Sequence, residues 1–290
     1  MQLPRVLACI ARAAILVPTL ACAPAPPTPP QPAPRLAASA DPTPAPVPRI
    51  LPDATGPEGH VEETTSIPAP APAPDVAPLL AAETRSVHPG INAAYRDPRA
   101  TRRWARRFER DGREVHDHRA QIVQALGLRP GLAVADIGAG TGLFTLAFAD
   151  AVGPTGTVFA VDVIPHFLTH IRARLEKAGV THVRLIQASE RSAELPPASV
   201  DVVFMSDAYH HLEYPQHVLA SLRRALRPGG SLWVIDFHRG PDSDAWLRRH
   251  VRADRPEVLQ ELAQAGFELV SEPPLLRENY VLQLRPRPGP

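Results

Sequence analysis

Downstream of about residue 130 the chain alternates between two hydrophobic periods. Short continuous apolar runs mark candidate strands at Ala133 to Asp136, Val158 to Asp162, Val183 to Gln187, Val200 to Ser206 and Ser231 to Phe237. Between them, apolar residues recur every three or four positions at Phe144 to Ala151, Phe167 to Ala178 and Val218 to Leu226, which is helical spacing. Strand and helix in alternation predict parallel strands joined by right-handed crossovers, hence a doubly wound sheet. A last helix over Glu257 to Ala265 leads through Gly266 to Phe267-Glu268-Leu269-Val270, and Tyr280 to Leu284 closes the chain. These final strands are close in sequence and suit an antiparallel edge. Upstream, Trp104 and Phe108, then Val115, Ile122, Val123 and Leu126, predict amphipathic helices covering one edge of the sheet and roofing whatever binds there.

The chemistry concentrates at strand ends. Val134-Ala135-Asp136-Ile137-Gly138-Ala139-Gly140-Thr141-Gly142 is an apolar run, an acid, then three glycines at alternate positions. Such glycines turn a buried strand tightly into a helix and let backbone approach a ligand closely. A dinucleotide loop needs its third glycine three residues after the second, but Gly142 follows Gly140 by two, which argues against a nicotinamide cofactor. The second run ends in Asp162, twenty residues beyond Gly142, where this kind of fold places an acid that grips ribose hydroxyls.

These two sites resemble motif I and the acidic strand end of class I S-adenosylmethionine-dependent methyltransferases. Ala198 to Asp207 is similar to that family's fourth strand and Ala225 to Val234 to the turn into its fifth, in the family's order. The resemblance implies a Rossmann-like, seven-stranded, mostly parallel sheet with an antiparallel edge strand. It implies S-adenosylmethionine as cofactor, with Gly138, Ala139, Gly140 and Gly142 passing beneath the methionine part and ribose. Asp136 would orient the amino end and Asp162, followed by Val163, would accept the ribose hydroxyls. After the third strand Ser189 or Glu190 would meet the adenine, and Asp207 ends the fourth strand at the same edge.

Tyr209, His210 and His211 follow that fourth strand and are the candidate catalytic residues, lining the place where methyl meets acceptor; quinone-type C-methyltransferases carry a similar histidine-containing turn. His250 is expected in a surface cluster rather than in the acceptor pocket, and Tyr95 either closes over the cofactor or packs beneath the roof. No metal site is expected: His116 and His118, two apart, sit on different helical faces, and the only cysteines, Cys9 and Cys22, lie upstream of the catalytic region. Their absence from that region also excludes a thiol nucleophile and disfavours arsenite methyltransferases.

Composition then divides the chain. Half of its 36 prolines fall between Pro24 and Pro78, in Ala-Pro repeats with few large apolar residues, so residues 24–86 predict an extended tether and 87–290 the folded domain. Residues 1–23 read as an export signal: Arg5 and Arg12 precede an apolar run too short to span a bilayer, and Ala21-Cys22 resembles a bacterial lipoprotein signal, with a lipidated Cys22 as membrane tether. The alternative is a cytoplasmic protein with an uncleaved or misassigned start. Net charge is +1, and the nine arginines from Arg96 to Arg119 are interleaved with acids, which predicts a solvated helical face. No nucleic-acid partner is expected, because the Asn-Pro-Pro-Tyr type turn is absent after Ser206. The expected activity is methyl transfer to a small-molecule or lipid-like acceptor. The competing readings are a membrane-tethered binding module with no catalysis and, more weakly, a nicotinamide-dependent oxidoreductase.

Overall fold

A computed structural model describes residues 74–288. In chain order the elements are α1 (Ala77–Ala82), α2 (Thr101–Phe108), α3 (Glu114–Asp117), α4 (Arg119–Ala125), β1 (Ala133–Ile137), α5 (Leu143–Val152), β2 (Thr157–Asp162), α6 (Pro165–Ala178), β3 (Val183–Gln187), β4 (Val200–Ser206), α7 (Pro215–Ala225), β5 (Leu226–Phe237), α8 (Ala245–His250), α9 (Arg255–Gln264), β6 (Phe267–Ser271) and β7 (Asn279–Pro286). The expected signal, the lipidated Cys22 and most of the tether lie outside the described residues. Helix α1 falls in the last part of the stretch read as tether, and Glu83 just beyond it accepts from the backbone N–H groups of Gln216 and His217 at the start of α7.

The strands form one sheet in the order β3-β2-β1-β4-β5-β7-β6. The first five run parallel, and β7 lies antiparallel between β5 and β6. Because strand side chains alternate in direction, each central strand feeds two cores. Val134, Val158, Val202, Phe204 and Ile235 pack with α3, α4 and α5 through Val115, Ile122, Phe144 and Phe148. Ala135, Val161, Val203, Met205 and Val234 pack on the other side with α7 and α9 through Val218, Leu222, Val258 and Leu262. Burial on both faces explains why these strands read as unbroken apolar runs, whereas the edge strand β6 leaves Leu269 and Val270 exposed.

All five parallel strands and the three helices between them occur where the hydrophobic periods place them. The fifth strand starts earlier than expected, at Leu226, because Leu226 already pairs with Val200 ahead of a register shift around Arg227-Pro228-Gly229-Gly230. Strand order reverses about β1 and β4, and ligands bind at such a switch point, beyond the carboxyl ends of the strands. Among the described residues no helix is long and apolar enough to cross a membrane.

Candidate active site

At that switch point lies a cavity of about 960 Å³, running from the glycine loop after β1 to a group of histidines after β4 and β5. The glycine end is held by backbone geometry. Gly138 has φ +68°, and a Cβ there would stand 2.6 Å from the Cβ of Ala208, so the β1 and β4 loops meet only if this residue is glycine. Gly140 donates its N–H to Asp162 Oδ2 at 2.8 Å, and Ile164 donates to Oδ1 at 2.8 Å. The carboxylate ending β2 therefore fixes the glycine loop, with its unused lone pairs available to the cavity it lines. Asp136 accepts from the Thr145 hydroxyl at 2.6 Å. Burial pushes Asp136 up to about 7 and Asp162 to about 6; the hydrogen bonds to each only partly offset that cost.

Not every expected contact lies on the cavity. Asp136, Gly138, Ala139, Gly140, Asp162, Val163, Ser189 and Asp207 line it; Gly142 does not. Gly142, with φ +85°, starts α5, and a Cβ there would meet Ile171 of α6 at 3.0 Å, so its service is to packing. The Asp207 carboxylate is already taken by Arg113 at 2.6 Å and Asn279 at 2.5 Å, and it braces the roof and β7 against the end of β4. At the turn after β3 the Glu190 carboxylate accepts from Arg96 at 2.9 Å and Asn92 at 3.3 Å, while the Ser189 hydroxyl donates to Glu194 at 3.3 Å.

The roof is aromatic. Tyr95, Trp104 and Phe108 pack on one another and on Phe167 of α6, and a Cβ on Gly140 would touch the Phe108 ring at 3.5 Å. Tyr95 both packs against the roof aromatics and lines the cavity. Glu109 latches the roof to the glycine loop by accepting from the Thr141 hydroxyl at 2.8 Å and from Arg174 at 2.5 Å. The arginines of α2 point mostly to solvent, as their interleaved acids predict, although Arg107 turns in and lies 5.6 Å from the Trp246 ring.

The opposite end is built from histidines. His210 is 3% exposed; its Nδ1 donates to Asp236 Oδ1 at 2.8 Å and its backbone N–H to Oδ2 at 3.0 Å. His211 reaches the Tyr95 hydroxyl through Nε2 at 3.5 Å, while its buried Nδ1 has no partner among the described residues. Burial and the neighbouring His210 and His250 hold the His211 imidazole well below the usual histidine range. Tyr209, read as catalytic, is fully buried and faces away from the cavity: its hydroxyl donates to Glu261 at 2.8 Å, a carboxylate also held by Arg252. Adjacent residues of a short 3-10 turn point in different directions, so the cavity takes the two histidines and the core takes the tyrosine.

His250 corrects the surface-cluster expectation, since it lines the cavity within 5.1 Å of the His210 ring and 5.0 Å of the His211 ring. Sequence reasoning missed the helix that brings it there. Asp244 caps α8 by accepting from Leu247 N–H at 2.7 Å, and Trp246 and His250, four apart, stack at 4.6 Å on one face. An N-cap acid followed by an aromatic pair at helical spacing was the available signal. Asp236 was missed as well; an acid at the end of the apolar run Leu232-Trp233-Val234-Ile235 parallels the acid ending β2.

A methyltransferase-domain family model matches residues 134–230, which run from β1 through the turn into β5 and contain the glycine loop, Asp162, His210 and His211. That stretch of the chain is similar to methyltransferase domains. A ubiquinone/menaquinone biosynthesis C-methyltransferase of Ectopseudomonas mendocina is 36% identical over 118 residues, which are 40% of this chain and 46% of that protein. The chain spans about half the length of the curated relatives it matches. Among solved structures, a methyltransferase of Aquifex aeolicus superposes with TM-score 0.57 at 24% identity over 65% of this chain and 97% of its own. The [4+2]-cyclase SpnF superposes with TM-score 0.52 at 17% identity over 63% of this chain and 86% of its own, so the fold by itself does not dictate the reaction. The cofactor indicated for this methyltransferase family is S-adenosylmethionine. The residues present fit it: two acids and a glycine loop open on one end of a cavity that a roof closes. A nicotinamide reading has no support left, since both loop spacing and family stand against it.

Proposed function

We propose that the chain binds S-adenosylmethionine at the glycine end of the cavity and transfers its methyl group to a small-molecule or lipid-like acceptor held at the histidine end. One observation carries this reading: a single cavity of about 960 Å³ has the cofactor-type acids at one end and paired imidazoles at the other. The sulfonium is an activated donor, so alignment of nucleophile, methyl carbon and sulfur, together with exclusion of water, supplies much of the acceleration. The roof of Tyr95, Trp104 and Phe108 supplies that exclusion. His210 and His211 present ring nitrogens where the acceptor's polar group must lie, and Trp246, Phe237 and Leu247 give it an apolar, partly aromatic wall. An aromatic acceptor carrying an ionisable hydroxyl suits that wall, and the C-methyltransferase relatives, whose names place them in quinone biosynthesis, point the same way.

The test is binding followed by turnover. Calorimetry on the full chain should show S-adenosylmethionine and S-adenosylhomocysteine competing for one site, and no detectable heat at millimolar ligand would overturn the reading. Incubation with labelled methyl donor and cell extract should then label a small molecule, and a Gly140→Val variant should abolish the labelling. Cofactor binding with no transfer to any fraction would leave the non-catalytic module as the better account. Comparing metabolites of a deletion strain, by loss of one methyl group's mass, would name the acceptor. The leader sequence alone supports anchoring through a lipidated Cys22; a Cys22→Ser chain should then leave the membrane fraction.

A further inference from the structure

His210, His211 and His250 each offer one ring nitrogen, and those nitrogens lie within 4.8 Å of one another at the cavity wall. Three ring nitrogens therefore face one another. His210 is oriented for such a role because Asp236, 1% exposed, takes its Nδ1–H and its backbone N–H and also accepts from Phe237 N–H at 2.8 Å. That leaves Nε2 aimed away from the carboxylate. A carboxylate behind a metal-ligating histidine is the arrangement that fixes tautomer and ring direction in metal centres. His211 adds a buried Nδ1 with no partner among the described residues. The His250 ring is clamped by Trp246, its centroid 4.6 Å away and its plane tilted by 23°. His88, beside the cluster, also has a buried Nδ1 with no partner among the described residues.

We propose that His210, His211 and His250 form a binding site for a nitrogen-preferring divalent cation such as Zn²⁺, with its open coordination position facing the cavity. Three imidazole ligands suit Zn²⁺, Co²⁺, Ni²⁺ or Cu²⁺ and do not suit Mg²⁺ or Ca²⁺, which take oxygen ligands. Three protein ligands leave a fourth position for water or for an anionic oxygen of the acceptor. The expectation of no metal rested on missing cysteines and on His116 and His118; it did not foresee that α8 returns His250 to the loop after β4. The role given to the cation, holding an acceptor oxygen as its anion, rests on the methyl-transfer reading. Its binding does not.

The experiment uses full-length protein stripped with chelator and titrated with Co²⁺, followed by Zn²⁺. One Co²⁺ per chain should give a visible d–d absorption that Zn²⁺ abolishes. His211→Ala and His250→Gln should each weaken Co²⁺ binding at least tenfold, and Asp236→Asn by about 10-fold to 100-fold, as expected for loss of a ligand's orienting partner. His116→Ala, in the exposed group Asp111, His116 and Asp117, should leave the absorption unchanged. No d–d absorption in the presence of excess Co²⁺ would overturn the proposal. So would undiminished binding in folded His211→Ala and His250→Gln chains, or loss of the signal in His116→Ala alone. Circular dichroism confirms folding, and the half-buried His250 keeps the test available if His211→Ala unfolds. S-adenosylhomocysteine binding measured on the same samples separates the two readings: cofactor heat without Co²⁺ absorption rejects only the cation, and the reverse rejects only the cofactor.

Discussion

The two ends of the cavity are built in different ways. At the glycine end Asp136, Gly138, Gly140 and Asp162 come from two adjacent parallel strands and one turn, within 27 residues of sequence. At the histidine end Tyr95, His210, Asp236 and His250 come from four separate segments spanning more than half of the chain. The first is fixed once β1 and β2 pair, because the register that sets Ile137 beside Val161 brings the glycine loop onto Asp162. The second exists only after β4, β5, α8 and the roof have all packed. A reaction common to many proteins fits the local half, and acceptor choice fits the assembled half, where one loop can change without disturbing the sheet.

The strongest way to break the glycine end is Gly138→Ala. The added methyl would meet Ala208 at 2.6 Å in a backbone with φ +68°, so overpacking and conformational strain together should cost about 3 kcal/mol and abolish measurable cofactor binding. A thermal melt and a cofactor titration check it; a variant with unchanged melting and affinity would mean the two loops are not in contact. His211→Ala probes the other end and should separate the two functions. Methyl transfer should fall at least tenfold while S-adenosylhomocysteine affinity stays within about twofold, since the imidazole is placed at the acceptor and not at the ribose. A parallel loss of both would join the ends that this comparison keeps apart.

Asp162→Ala should lower cofactor affinity at least tenfold with the fold retained, because hydrogen bonds to a charged group are worth about 1.5 to 3 kcal/mol each. Unchanged affinity would remove Asp162 from the cofactor contacts.

The smallest effect concerns Asp136. Its folded-state value of about 7 lies above the ordinary 3.8, so the folded protein holds a proton that the unfolded chain has released, and stability contributed by the protonated group is lost as pH rises toward and through 7. Above about pH 6.5, where ordinary histidines are mostly neutral, this acid should dominate the slope. Ionising it costs the fold roughly 4 kcal/mol. Asp136→Asn removes that cost and returns about 2 kcal/mol by burying an unpaired amide. The variant should therefore melt several degrees higher at pH 8 and show a flatter profile between pH 6.5 and 8. Parallel profiles would place the titrating group elsewhere.

What could be read from sequence follows the same division. Apolar runs buried on both faces announce parallel strands, and crossover handedness puts their carboxyl ends together, so the meeting of Asp136, Gly138, Gly140 and Asp162 at one end of a cavity was legible in the sequence. Tyr209 could not be told from His210 by sequence, because a single turn of 3-10 geometry sends neighbouring side chains to the core and to the cavity. Asp207 looked like a third strand-end acid, yet Arg113 and Asn279, 94 residues before it and 72 after, claim its carboxylate. His250 was misplaced because a six-residue helix has too short a period to reveal which face it buries. Each miss concerns a side chain whose direction depends on partners distant in the chain.

The most direct measurement is a crystal structure of the full chain with S-adenosylhomocysteine. The ribose should lie at Asp162, the amino acid tail over Gly138 and Gly140, and the sulfur should face the cluster of His210, His211 and His250 across the cavity. A ligand bound elsewhere, or a Phe108 ring still pressed on Gly140 with the cavity empty at saturating ligand, would contradict the account.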